Sequence, residues 1–145
     1  MSMRGLACLV LVACAADGDP IDDPQLPPRG HAAIAQWLDA GYYLAWRCQP
    51  STHEAMAPSP HPSARICSND KIYETSAGLY PEGAATVKEL YDGTTLIGHA
   101  VTRKLVATWY WYEAQDRVLG DGESLEGCES CHGGAPRDFV WTTAP

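Results

Sequence analysis

Along residues 31–47 the apolar positions Ile34, Trp37, Leu38, Tyr42 and Ala45 recur at roughly helical spacing. This predicts an amphipathic helix, weakened in its middle by Gly41. Residues 49–62 carry Pro50, Pro58, Pro60 and Pro62 and predict a loop. Residues 64–67 predict a short strand, and residues 69–80 are ambiguous and read as part helix. From residue 84 the β signal sharpens. Residues 84–91 predict a strand, Asp92-Gly93 a tight hairpin turn, and residues 94–105 the returning strand. Residues 106–113, with Trp109, Tyr110, Trp111 and Tyr112, are rich in β-formers, although no turn signal separates them from residue 105. Gly120-Asp121-Gly122 predicts another turn, residues 125–132 one helical turn, and residues 139–142 a last strand.

The N-terminus reads differently. Arg4 precedes an apolar run over residues 5–13 that is too short to span a bilayer and suits a signal peptide. Leu11-Val12-Ala13-Cys14 fits the bacterial lipobox, whose cysteine becomes an acylated N-terminus; an ordinary signal peptide with an incidental Cys14 is the alternative. Residues 15–30 combine Asp17, Asp19, Asp22 and Asp23 with four prolines and read as an extended tether. The expected organisation is thus a lipoprotein signal peptide at 1–13, an acidic tether at 14–30 and one folded domain at 31–145. The expected setting is the bacterial periplasm, anchored to a membrane through lipid on Cys14. A net charge of −8 argues against nucleic-acid binding.

The candidate chemistry lies near the other end. Cys128-Glu129-Ser130-Cys131-His132 has the Cys-x-x-Cys-His spacing of a c-type haem attachment site. Two thiols at this spacing can each form a thioether to one porphyrin, and the adjacent imidazole can ligate its iron. A zinc half-site would need a second Cys/His pair at short spacing, and none is present. A redox Cys-x-x-Cys would need a βαβ context. The architecture expected is therefore α+β: a mainly antiparallel β-sheet with an N-terminal helix and a C-terminal haem-attachment segment. Cys128, Cys131 and His132 are the expected ligands of one covalently attached haem c, with His132 on the metal. The methionines are Met1, Met3 and Met56, so no sulfur ligand follows the motif. That leaves the sixth iron position without an obvious strong ligand and favours small-molecule chemistry over simple electron transfer. Cys8 falls in the leader, so Cys48 and Cys67 remain as a disulfide pair in an oxidising compartment or as two free thiols.

Three stretches resemble the cytochrome P-460 family, in the family's order and over about the last half of the chain. They are Pro81-Glu82-Gly83-Ala84-Ala85-Thr86-Val87-Lys88-Glu89-Leu90, the aromatic run Trp109 to Tyr112 with Glu113, and Cys128 to His132 followed by Asp138-Phe139-Val140. The resemblance implies a homodimeric antiparallel β protein with one c-type haem and a lysine, here Lys88, joined to a haem meso carbon. It implies oxidation of a small nitrogen compound such as hydroxylamine, with electrons passing to a redox acceptor protein. Arg65 falls where a family arginine lines the pocket. His99 falls where the family places a carboxylate facing the iron, a departure that changes the expected proton acceptor. Catalytic roles are thus expected of Lys88, His99 and Arg65. The link between the last two long strands is shorter than in the cross-linking members. The sister group, the cytochromes c′-beta, lacks the lysine link and binds nitric oxide; that, or an electron-transfer lipoprotein with a histidine as sixth ligand, is the alternative reading.

Overall fold

A computed structural model describes residues 25–141 apart from 56 and 58. The expected signal peptide, Cys14 and most of the tether lie outside the described residues. The fold is a six-stranded antiparallel sheet with few helices. In chain order, β1 is Arg47–Cys48, β2 Ser63–Ser68, β3 Ala85–Asp92, β4 Thr95–Lys104, β5 Trp109–Ala114 and β6 Val118–Glu123. Each strand pairs with its neighbour in sequence, so the order across the sheet is the order along the chain.

Helix α1 spans His31–Asp39 and is shorter than the periodicity predicts. Gly41 adopts φ 71° and turns the chain into a 3-10 segment at Tyr42–Ala45. Ile34, Trp37 and Leu38 on α1 bury themselves with Val87, Val101, Tyr110 and Tyr112 against one face of the sheet. The folded unit begins before His31. Pro27 and Pro28 are fully buried, and Arg103 Nη1 donates to the Pro27 carbonyl at 2.9 Å. The end of the expected tether is therefore part of the domain. Helix α2 covers Asp70–Glu74 and is capped by Asn69, whose side chain accepts from the Ile72 amide. Helix α3 covers Glu126–His132.

Two turns differ from expectation. The chain reverses at Gln115–Arg117, where the Gln115 amide donates to the Arg117 carbonyl. Gly120, Asp121 and Gly122 lie inside β6. These glycines serve packing: a Cβ at either Gly120 or Gly122 would meet the Leu125 side chain at 3.2 Å. The β4–β5 turn that lacked a signal closes where the Leu105 amide donates to the Thr108 carbonyl at 2.9 Å. After α3, the described residues form a single bridge between Arg137 and Val140 rather than a strand. A disulfide joins Cys48 to Cys67, directly paired residues on β1 and β2, and closes the proline-rich loop between them.

The register of β3 and β4 decides which side chains meet the second face. Asp92 pairs with Thr95 and Tyr91 with Leu96, but Leu90 pairs with Gly98. The extra residue, Ile97, makes a β-bulge. Without it Lys88 would pair with His99. With it Lys88 pairs with Ala100 and His99 pairs with Glu89. A one-residue shift sends a side chain to the opposite face.

Candidate functional site

The face of the sheet away from α1 carries Thr86 and Lys88 on β3, Ala100 and Thr102 on β4, and Trp111 and Glu113 on β5, set by the pairings Thr86–Thr102–Trp111 and Lys88–Ala100–Glu113. Helix α3 covers this face. Between them lies a cavity of about 260 Å³ whose wall includes Lys88, Glu113, Cys128, Cys131 and His132.

The two cysteines sit at i and i+3 of α3, the spacing that places side chains on one helix face. Burial pushes the Cys128 thiol up, with Glu113 and Glu129 adding to the effect. A redox Cys-x-x-Cys needs the reverse, a thiol lowered toward the thiolate, and every strand pair in this sheet is antiparallel.

His132 is held from two sides. Its ring lies 4.7 Å from the Trp111 ring, centre to centre, and its Nδ1 is 2.8 Å from the Phe139 carbonyl oxygen. A carbonyl can only accept, so Nδ1 carries the proton and Nε2 the lone pair. Metal-binding histidines are commonly fixed in this way. Burial, together with the nearby Lys88 and His61, outweighs the Phe139 bond and lowers the ring's pKa to about 4. The imidazole is neutral at physiological pH, the form that ligates a metal.

The carbonyl that holds His132 is itself clamped. Asp138 and Phe139 adopt φ of 35° and 66°, the left-handed region that side chains disfavour. Asp138 Oδ1 accepts from Lys104 Nζ at 3.0 Å and from Trp109 Nε1 at 3.2 Å. Its Oδ2 accepts from the Tyr80 amide at 2.8 Å.

Lys88 is half-buried and its Nζ makes no hydrogen bond among the described residues. Burial lowers its pKa, and Glu113 and Cys131 only partly oppose the shift. Glu113 is pulled both ways. Burial alone would raise its carboxyl, but the His61 contact, Gln115 and the Lys88 charge together hold it below the usual range. His61, assigned no role from sequence, lies in the wall of the cavity. Its Nδ1 is 3.2 Å from Glu113 Oε2, a close contact without hydrogen-bond alignment.

The structure does not bring Arg65 and His99 to this cavity. Both lie with Glu89 on the α1 side of the sheet. Arg65 Nε and Nη2 donate to the two Glu89 oxygens at 2.6 and 2.7 Å. The Tyr43 hydroxyl donates to Glu89 at 2.9 Å and lies 3.3 Å from His99 Nε2. This is a self-satisfied cluster beneath α1, and the bulge at Ile97 is why His99 belongs to it. Glu113 is the carboxylate that faces Lys88. Its even spacing from Trp111 on one strand was the available signal.

The residues fit a c-type haem better than a bare metal ion. Among the described residues no three His, Cys, Asp or Glu side chains are arranged to hold one. A haem brings four nitrogens of its own and needs only an axial imidazole from the chain. Trp111, in the cavity wall, also leaves its indole N–H buried without a partner among the described residues, a donor suited to a polar group of a bound molecule. The cavity, at about 260 Å³, lies just below the roughly 300–1,000 Å³ typical of small-molecule pockets. No protein-family model, curated protein or solved structure matches the chain.

Proposed function

We propose that the protein is a c-type haem protein resembling cytochrome P-460, which binds and oxidises a small nitrogen compound such as hydroxylamine. One observation carries this reading. Lys88 and Glu113, paired through Ala100 across three strands, face Cys128, Cys131 and His132 across one cavity. Cys128 and Cys131 would hold the haem and His132 its iron. A haem held there would supply the redox chemistry, binding the nitrogen compound at iron and relaying its electrons to a separate acceptor protein.

The chain's own groups divide the remaining work. Phe139 fixes the His132 tautomer. Lys88, whose burial lowers its pKa, is the amine placed beside the macrocycle; joining its Nζ to a meso carbon would replace the hydrogen there, with the two electrons and two protons released going to an added peroxide-class oxidant. Glu113, kept ionised, is the group placed to accept a proton from the bound compound. Export to the periplasm, a lipid anchor at Cys14 and homodimerisation complete the proposal and rest on the sequence.

Expression in an oxidising, haem-competent host tests it. The expected product is coloured, and trypsin releases a haem-bearing peptide joining Lys88 to the segment with Cys128 and Cys131. It should also consume hydroxylamine when given an electron acceptor. A colourless product, or one carrying zinc, would overturn the haem reading. A free Lys88 peptide with no hydroxylamine turnover would overturn the oxidation.

A further inference from the structure

We infer that His61 is a second axial ligand, closing the sixth iron position at rest until a small ligand displaces it. This rests on the haem reading above and adds a residue that neither the motif nor the resemblance supplies.

The first support is a separation. The His61 and His132 ring centres lie 6.4 Å apart with their planes at 67°. One metal ion between two imidazoles sets two bonds of about 2 Å and two centre-to-nitrogen distances of about 1.1 Å, which spans nearly the same length. The second is the wall behind them. The His132 ring lies against Trp111, tilted by 59°, and His61 contacts Glu113. Trp111 and Glu113 are consecutive same-face residues of β5, which stand about 6.7 Å apart along a strand. The two imidazoles therefore occupy successive positions on one side of the sheet.

The third support is the carboxylate beside the His61 ring. Glu113 Oε2 lies 3.2 Å from His61 Nδ1, within reach of a hydrogen bond after a small rotation of the ring. His132 already has such a partner in the Phe139 carbonyl. Partners of this kind orient ligating histidines.

The loop is built to keep His61 in place. Pro60 and Pro62 flank it, and its amide donates to Ser59 Oγ at 3.2 Å. His53 and Ala64 exchange two backbone hydrogen bonds at 2.9 Å. The Cys48–Cys67 disulfide fastens the base. A ligand on a stapled loop can leave and return without unfolding the domain.

The full-length haem-loaded protein tests the inference by absorption and electron paramagnetic resonance, without any turnover assay. The ferric wild type is expected to be low-spin and six-coordinate. His61→Ala is expected to be high-spin, to bind added imidazole at least tenfold more tightly, and to recover the low-spin spectrum when imidazole fills the site. Glu113→Gln, which keeps both histidines, is expected to stay low-spin but to yield to imidazole more readily than the wild type. A coloured wild type that is high-spin and five-coordinate would overturn the role of His61 and leave the haem reading standing. So would a low-spin spectrum unchanged in His61→Ala. A colourless protein would remove both.

Discussion

The Phe139 carbonyl oxygen stands 2.8 Å from His132 Nδ1, next to Asp138, which Lys104, Trp109 and Tyr80 pin in place. The side chains of Lys104 and Asp138 are 7% and 4% exposed, so this is a buried ion pair. Removing one partner of such a pair strands the other charge and costs about 3–5 kcal/mol. Asp138→Ala is expected to lose stability of that order in denaturant melts. Asp138→Asn, which keeps the shape, should lose less. In both, the His132 ring should lose its fixed orientation, visible as broadened imidazole resonances.

Acid should act through Glu89. Burial alone would raise its carboxyl, but the bonds from Arg65, Tyr43 and Tyr91 outweigh it and leave the pKa below the ordinary 4.5. The folded state thus prefers the ionised form more than the unfolded chain does. The stabilisation is complete above pH 4.5 and is lost as pH falls through the lower folded value. Glu89→Gln is expected to flatten the acid limb of a stability-versus-pH curve. At neutral pH it should cost about 2 kcal/mol, less than a fully buried pair because Arg65 is part exposed.

Reducing the Cys48–Cys67 disulfide frees a loop with a sequence separation of 19 residues. Chain-entropy arguments put the loss at about 3 kcal/mol. Limited proteolysis should then cut between the two cysteines first. An unchanged cleavage pattern in the Cys48→Ser, Cys67→Ser variant would show that the loop is held by its other contacts alone.

Gly98 is the most constrained glycine in the sheet. A Cβ there would lie 2.2 Å from the Ala114 carbonyl oxygen and 2.9 Å from the Gln115 Cα, both backbone atoms. Gly98→Ala is expected to cost at least the roughly 1–3 kcal/mol of an overpacked core site. A loss of under 0.5 kcal/mol in urea melts would mean that β4 relaxes around the bulge more easily than its contacts indicate.

That same glycine marks how far the sequence could be read. The alternation over residues 84–105 and the Asp92-Gly93 pair are local signals, and β3, β4 and their hairpin follow them. The bulge is not local. Beside it Gly98 packs directly on the Ala114 carbonyl and on Gln115, and only a lone glycine inside a strand pattern hinted at it. Missing it misplaces His99. The Gln115–Arg117 reversal holds no glycine or proline, while the glycines at 120 and 122 answer to Leu125. Glycine therefore misled as a turn signal where its real duty was to make room. That Cys128, Cys131, His132 and Lys88 meet at one cavity followed from motif spacing and strand parity, which depend on few residues. The presence of Glu113 and His61 in the same wall did not, since their places depend on a three-strand register and on a proline-rich loop folding over a sheet.

The strand order, identical to the chain order, has a consequence for assembly. Every long hairpin closes between consecutive segments, so loop closure costs little entropy and the sheet can zip up from its first strands as the polypeptide emerges. The helix bearing the two thiols follows the last strand and is laid onto a wall that already stands. On the haem proposal, the scaffold would be finished before the macrocycle is sealed behind it.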